Sequence, residues 1–399
     1  MAANTLPAKG AEPETLNVYI DADFSITPAV GEAIELGLLT ALAEVDDRAA
    51  GVPVRVQRLD HRTSPRRSKR NFETFLRDPN ALVMFGGQQS PPYLSFGDEI
   101  NANGIPLLLA WSAAAPVTRL APGDQNYIFR LSVDDSQAGP FLVGQALTAG
   151  CRDIALLLTD TGWGRANLRT MTAALEAREL SPAKTIMIPS DVGAAAARNI
   201  ARDIANSGAQ CSLAVLTPAI GSTVLTALRD MDVKIDVFSH WGIFSRSFPE
   251  TVTFEMREAL NLQVLHTCGL SIEQAGSPVL TAALTHARTL DPSIARLADI
   301  AAPAGFVHGY DLGRVFLAAI EQAASTPAWS QGQAARRDAF RDAIAALERP
   351  VDGIMKRYAP PFSAFSDDNP DGHEALGRDS LCLARFDRNN RLVSVNAPE

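Results

Sequence analysis

Residues 86–119 read GGQQSPPYLSFGDEINANGIPLLLAWSAAAPVTR. Two short apolar runs, ALVMF (Ala81–Phe85) and PLLLA (Pro106–Ala110), each end in a turn of small residues, GGQQSPP and WSAAAP. The spacing between them predicts a helix over Pro91–Asn103. A strand, a tight turn, a helix and a second strand make one unit of a parallel sheet. In open sheets of this kind, ligands gather on the turns outside the carboxyl ends of the strands. GGQQSPP is such a turn. Gly86 and Gly87 admit close backbone approach, Ser90 is placed as helix N-cap, and Pro91 takes the first helical position. Free N–H groups and the positive end of the helix dipole suit a carboxylate there. WSAAAP repeats the arrangement one unit later, with Ser112 and small neighbours that leave room for a guest. Taken singly, each turn also reads as a plain helix cap. At consecutive strand ends, the pair favours one shared concave site.

The same alternation runs outward on both sides. Strands over Leu16–Ile20 and Val54–Leu59, with helices over Pro28–Val45 and Arg67–Arg77, complete a first lobe. The pattern then restarts. It gives helices over Asp135–Thr148, Gly164–Arg178, Gly193–Ser207 and Gly221–Met231, and strands over Asp153–Leu158, Thr185–Pro189, Cys211–Leu216 and Asp236–Ser239. After Leu265 the chain returns to the first style, with helices over Pro278–Leu290, Gly309–Ala324 and Arg336–Leu347. Near the end, LCLARFD and RLVSV flank an Asn-rich turn and read as a hairpin. The expectation is an α/β protein of two doubly wound parallel-sheet lobes joined by a three-crossing hinge. Lobe one takes 15–132 and 267–347, and lobe two 133–266 and 348–399.

Composition narrows the function. The chain has 399 residues and a formal net charge of -9. That balance argues against a nucleic-acid partner, which needs a basic surface. The one dense basic stretch, His61–Arg70, reads as a solvated loop and helix start rather than an anion site. No apolar run approaches the ~18 residues of a bilayer span, and the longest, Ile105–Val117, is broken by proline and serine, so a membrane-embedded protein is not expected. The opening residues MAANTLPAKGAEPETLN show no basic stretch followed by an apolar one. They are expected to be the loose start of a mature secreted chain with its signal peptide removed and a methionine added, a cytoplasmic origin staying open.

Four cysteines (Cys151, Cys211, Cys268, Cys382) are scattered along the chain. They are expected as buried free thiols, with a Cys151–Cys211 pair as the alternative, since both open strands of one lobe. The six histidines, at 61, 240, 266, 286, 308 and 373, have no metal-ligand spacing. DDNPDGHEAL has a calcium-loop composition without the spacing. No GxGxxG follows the first strand, and no nucleophile–base constellation is visible. Neither an enzyme nor a metal or cofactor is expected. Asp311, in HGYDLGR, is expected to cap or orient the last long helix.

The AEVDDRAAGVPV, GGQQSPP, GIPLLLAWSAAAP, DTGWGR and GYDLGRVFLAAIEQA segments, in this order and spacing, resemble the type I periplasmic binding proteins. The likeness covers nearly the whole chain and points to their branched-chain amino acid-binding group, the substrate-binding proteins of ABC transporters. It implies a ligand held in a cleft between two lobes that close on it. By position, Ser90 and Ser112 would meet the ligand's carboxylate or amine, helped by backbone groups of Gln89 and Ala113. Trp163 would stack over the ligand. Pro218 (in TPAIG) and His240 and Trp241 (in HWG) fall at the next two strand ends, and Phe24 at the first turn of lobe one.

Two departures from the family's amino-acid binders shift the expected ligand. Ala114 stands where they carry a hydroxyl residue, and SHWGIFSR offers His240 and Arg246 in place of an acid for an α-ammonium. With Phe24, Trp111, Trp163 and Trp241 nearby, the guest implied is an aromatic or amphipathic acid, though Trp111 reads equally as core. The resemblance implies a monomeric periplasmic solute-binding protein whose partners are a small ligand and an ABC transporter permease. The alternative is a ligand sensor of the same fold, either a receptor ectodomain or a cytoplasmic regulator.

Overall fold

Strands that are apolar along their whole length are buried on both faces, and here they form the centres of two sheets. The computed structural model describes residues 15–119, 125–245, 247–270 and 276–395. The opening residues 1–14 and Arg246 lie outside the described residues. In chain order the elements are β1 (Leu16–Ala22), α1 (Pro28–Ala43), β2 (Arg48–Ala49), β3 (Val52–Asp60), α2 (Pro65–Arg77), β4 (Ala81–Gly86), α3 (Pro91–Ala102), β5 (Leu107–Leu109) and β6 (Ile128–Arg130). They continue with α4 (Asp135–Thr148), β7 (Ile154–Thr159), α5 (Gly162–Glu176), β8 (Lys184–Ile188), α6 (Ala194–Asn206), β9 (Cys211–Val215), α7 (Pro218–Asp230) and β10 (Asp236–Ser239). Next come α8 (Ser247–Thr251), α9 (Phe254–Ala259), β11 (Gln263–Thr267), α10 (Pro278–Leu290), α11 (Pro303–Ala324) and α12 (Gln333–Ala345). The last are β12 (Val351–Asp352), β13 (Arg357–Tyr358), β14 (Leu381–Phe386) and β15 (Leu392–Ser394).

The chain divides into two compact units, Met1–Ser132 with Pro278–Ala375, and Val133–Ser277 with Leu376–Glu399. In the first unit the sheet order is β2-β3-β1-β4-β5-β6, all parallel except the short β2. Helices α1 and α11 pack closely on this unit. A Cβ on Gly37 would lie 2.2 Å from the Phe306 carbonyl oxygen, and one on Gly309 would lie 2.2 Å from that of Ile34. Only glycine allows the two backbones to approach so far. In the second unit the order is β15-β14-β11-β10-β9-β7-β8, parallel from β11 to β8. The expected C-terminal hairpin is β14–β15, and it extends this sheet by antiparallel pairing of β14 with β11.

The division differs from the expected one at two places. Residues 348–375 belong to the first unit, and 267–277 to the second. The cause of the first difference is Asp311, which sits in the middle of α11 and so cannot cap it. Its buried carboxylate accepts from Ile354 N (2.6 Å), Met355 N (3.0 Å) and Tyr358 Oη (2.9 Å), fixing the β12–β13 hairpin to the helix. α11 itself begins at Pro303 rather than Gly309, because its first turns are buried on every side and give no amphipathic period.

The free-thiol expectation fails for all four cysteines. Cys151 pairs with Cys211 and Cys268 with Cys382. Strand order explains both pairs. β7 and β9 are parallel neighbours, and Cys382 lies opposite His266 at the end of β11. Cα–Cα separations of 6.0 and 4.9 Å are within bridging distance. The basic stretch does open α2, but its first residue, His61, is buried rather than solvated. Its backbone N–H donates to Ala22 O, and its Nδ1 accepts from Thr63 N at 3.0 Å.

Candidate functional site

In the first unit β4 and β5 run parallel with Gly86 opposite Leu109, so the turns that follow them emerge side by side. Ser90 is at the N-cap position of α3 and Pro91 is its first residue, as the sequence indicates, yet Ser90 makes no side-chain cap bond. Its φ and ψ of -80° and -28° are helical, whereas a capping side chain needs extended backbone to reach back. The hydroxyl turns to the neighbouring strand end instead. Ser90 Oγ accepts from Ser112 Oγ at 2.8 Å and from Ala114 N at 3.2 Å. A serine hydroxyl has two acceptor positions and one proton. Both acceptor positions are filled, so Ser90 presents its proton as a donor.

A buried charge network holds the second turn in place. Arg130 Nη1 donates to Ala114 O at 2.7 Å, and Arg130 Nη2 pairs with Glu374 at 2.5 Å. Thr118 Oγ1 donates to the same Glu374 oxygen at 2.8 Å. Alongside, His373 stacks on Phe129 at 3.8 Å and contacts Ile128 O through Nδ1 at 3.0 Å. Burial pushes the His373 imidazole down to about 4. The loop with calcium-like composition is thus the strap that anchors WSAAAP from behind.

The remaining first-unit residues are buried or half-buried. Ala113 is buried, and Gln89 is half-buried with Oε1 lacking a hydrogen-bond partner among the described residues. Trp111 is half-buried and meets His308 of α11 edge-on at 5.6 Å. One edge of its ring therefore belongs to the core. Burial holds His308 down at about 4. Phe24 has the Arg58 guanidinium 4.9 Å over its ring, and Arg58 is fixed by Glu35. The Phe24 N–H donates to Asp60, and among the described residues no hydrogen bond joins Phe24 to Ser90 or Ser112.

In the second unit the expected aromatic residues do come together. Trp163 lies in the first turn of α5, where Thr161 caps by accepting from Gly164 N at 3.2 Å. The Trp163 ring meets His240 edge-on at 5.0 Å, and His240 meets Trp241 at 4.3 Å. A Cβ on Gly242 would lie 2.2 Å from the Trp163 ring and 2.6 Å from Leu216 O, so the indole occupies the space a side chain there would fill. Pro218 opens α7 at the neighbouring strand end and is half-buried.

Around SHWGIFSR the sequence offers no obvious acid. The structure supplies one from another element: Asp135 Oδ1 lies 3.4 Å from Nε2 of the buried His240. Asp134 is the cap of α4, accepting from Ser136 N at 2.6 Å, which leaves Asp135 for other contacts. The signal was the Asp-Asp pair at a strand-to-helix turn, where one carboxylate suffices as cap. Among the described residues no group of three or more His, Cys, Asp or Glu is placed to hold a metal ion, and no helix is long and apolar enough to cross a membrane.

Two α/β units, with hydroxyl and aromatic side chains gathered at the carboxyl ends of their strands, suit the binding of a small solute. A family model described as periplasmic binding protein matches residues 20–247, and the chain belongs to that family, as a type I member of its branched-chain amino acid-binding group. The family consists of substrate-binding proteins rather than enzymes and implies an extracytoplasmic setting. Two disulfides accord with an oxidising compartment.

Solved structures share the fold. One is a solute-binding protein of an ABC transporter from Rhodopseudomonas palustris HaA2 in complex with p-hydroxybenzoic acid. It has 18% identity and a TM-score of 0.74, with 95% of each chain covered. A benzoate-bound solute-binding protein from R. palustris has 15% identity and a TM-score of 0.72, with 96% of this chain and 95% of that one covered. An extracellular ligand-binding receptor from Verminephrobacter eiseniae has 16% identity and a TM-score of 0.73, with 95% and 99% covered. No curated protein sequence gives a significant match.

Proposed function

We propose that this protein is a monomeric periplasmic receptor that captures a small aromatic carboxylate and delivers it to an ABC transporter permease. The observation that carries this reading is the Ser90 hydroxyl, whose two acceptor positions are filled and whose proton is free to donate. A carboxylate is the strongest acceptor for such a donor. In this reading the ligand lies in a cleft between the units. Gln89, Ser90 and Ala113 meet its carboxylate, Ser112 acts on it through Ser90, and Phe24, Trp111, Trp163, Pro218, His240 and Trp241 surround its ring. Closure follows from contacts to both units, since a ligand shifts a conformational equilibrium by its differential affinity for the two states.

Ala114 in place of a hydroxyl residue favours an aromatic acid over an α-amino acid, and several proteins of the same fold bind benzoates. A thermal-shift panel of benzoate, 4-hydroxybenzoate, 3,4-dihydroxybenzoate, leucine and valine tests the reading, because ligand bound only by the folded state raises its stability. Stabilisation by the benzoates alone, with the ligand recovered unchanged, supports it. Stabilisation by the amino acids alone, or sustained turnover, contradicts it.

A further inference from the structure

We infer that Asp135 and His240 form a hydroxyl-selective subsite in the second unit, an inference that rests on the ligand-binding role proposed above. His240 is fully buried, edge-on to both Trp163 and Trp241. Both of its ring nitrogens and Asp135 Oδ1 are buried without a hydrogen-bond partner among the described residues. Nε2 and Oδ1 stand 3.4 Å apart, in a geometry that does not make a hydrogen bond between them. Buried polar atoms are seldom left unpaired in a folded protein, and a cluster of them at the strand-end turns marks a place for a guest's polar group.

The chemistry of the pair selects that group. The Asp135 carboxylate can only accept, and its negative charge favours the imidazole tautomer with the proton on Nε2. The site therefore offers one acceptor and one donor on adjacent atoms. A hydroxyl satisfies both at once, donating to Asp135 and accepting from His240. An ammonium can only donate, and a second carboxylate meets the charge of Asp135. The two indole rings beside the pair suit a hydroxyl carried on an aryl or alkyl body.

Calorimetry on the full chain tests this with two matched sets of acids. One set is benzoate, 4-hydroxybenzoate and 4-(aminomethyl)benzoate, and the other is hexanoate, 6-hydroxyhexanoate and 6-aminohexanoate. The hydroxyl member should bind about tenfold more tightly than either companion. In Asp135→Ala that advantage should shrink to less than about threefold, with affinity for the unsubstituted acid unchanged. In His240→Phe, which keeps an aromatic ring among the tryptophans, the ratio of hydroxyl to unsubstituted affinity should shrink likewise. Equal binding of hydroxyl and unsubstituted members, preference for the ammonium, or an advantage that survives both substitutions overturns the subsite. If the aliphatic set alone binds, the aromatic-acid reading fails and the subsite is judged on that set. If neither set binds, both fail.

Discussion

Ser112 Oγ donates to Ser90 Oγ across 2.8 Å, joining the ends of β4 and β5. Ser112 is fully buried, so its hydroxyl serves Ser90 rather than solvent. Ser112→Ala should leave Ser90 with one fewer donor and a proton no longer aimed in one direction. A neutral hydrogen bond of this kind contributes about 1 kcal/mol. Calorimetric titration should therefore show ligand affinity reduced about fivefold. An unchanged affinity would mean that the orientation of Ser90 does not depend on Ser112.

Arg130 and Glu374 should matter for stability more than any exposed ion pair. Their side chains are 0% and 7% exposed, and Ala114 hangs from the same guanidinium. Removing one partner leaves a buried charge, at a cost of about 3–5 kcal/mol. Glu374→Ala should thus lower the urea midpoint strongly, and it should also weaken ligand binding by loosening the WSAAAP turn. Wild-type affinity in that variant at temperatures where it is folded would detach the strap from the site.

The alternation of strands and helices was legible because central strands were uniformly apolar and helices carried proline or small residues at their starts. The Ser90 and Ser112 turns were legible for the same reason. What the sequence hid was long-range. The role of Ser90 depended on its helical backbone angles, and Asp135 reached His240 only because the start of α4 packs against the end of β10. Glu374 and His373, some 240 residues from Arg130 and Ile128, met them through a loop with no regular period. The Cys268–Cys382 pair was hidden likewise, since strand order rather than chain order brings these two together. The Cys151–Cys211 pair was open as the alternative, because both residues open strands of one unit.

The pH dependence of stability should contain two opposed contributions. Burial holds His308 and His373 at about 4, below the ordinary 6.5. Between those values the unfolded chain binds more protons, so their contribution rises with pH and is lost on acidification from about 6.5 to about 4. Burial raises Asp21 to about 7 and Asp311 to about 6, from 3.8. Here the folded chain binds more protons, and stability falls as pH rises through that window. Denaturation midpoints from pH 4 to 8 should show Asp21→Asn gaining on the wild type as pH rises. Parallel curves would remove Asp21 from the account.

Reduction of the two disulfides should destabilise the second unit, where all four cysteines lie. The loops they close span 60 and 114 residues. Loss of a native disulfide typically costs about 2–5 kcal/mol. Cys268→Ser/Cys382→Ser should lower the melting temperature and release β14 from the end of β11, read by faster amide exchange over Leu381–Phe386. Unaltered exchange there would show that strand pairing alone holds the hairpin.

Titration of 4-hydroxybenzoate into the wild type and Ser90→Ala tests the central claim most directly. A charge-assisted hydrogen bond contributes about 1.5–3 kcal/mol, so the account predicts one-to-one binding by the wild type and a loss of about tenfold or more in the variant. Ser90 does not cap α3, but its loss leaves the buried Ser112 hydroxyl and Ala114 N–H without an acceptor. The melting temperature of the unliganded variant should therefore fall modestly, and both titrations are run where the variant is fully folded. No binding by the wild type, or equal affinity in the two proteins, would contradict the account.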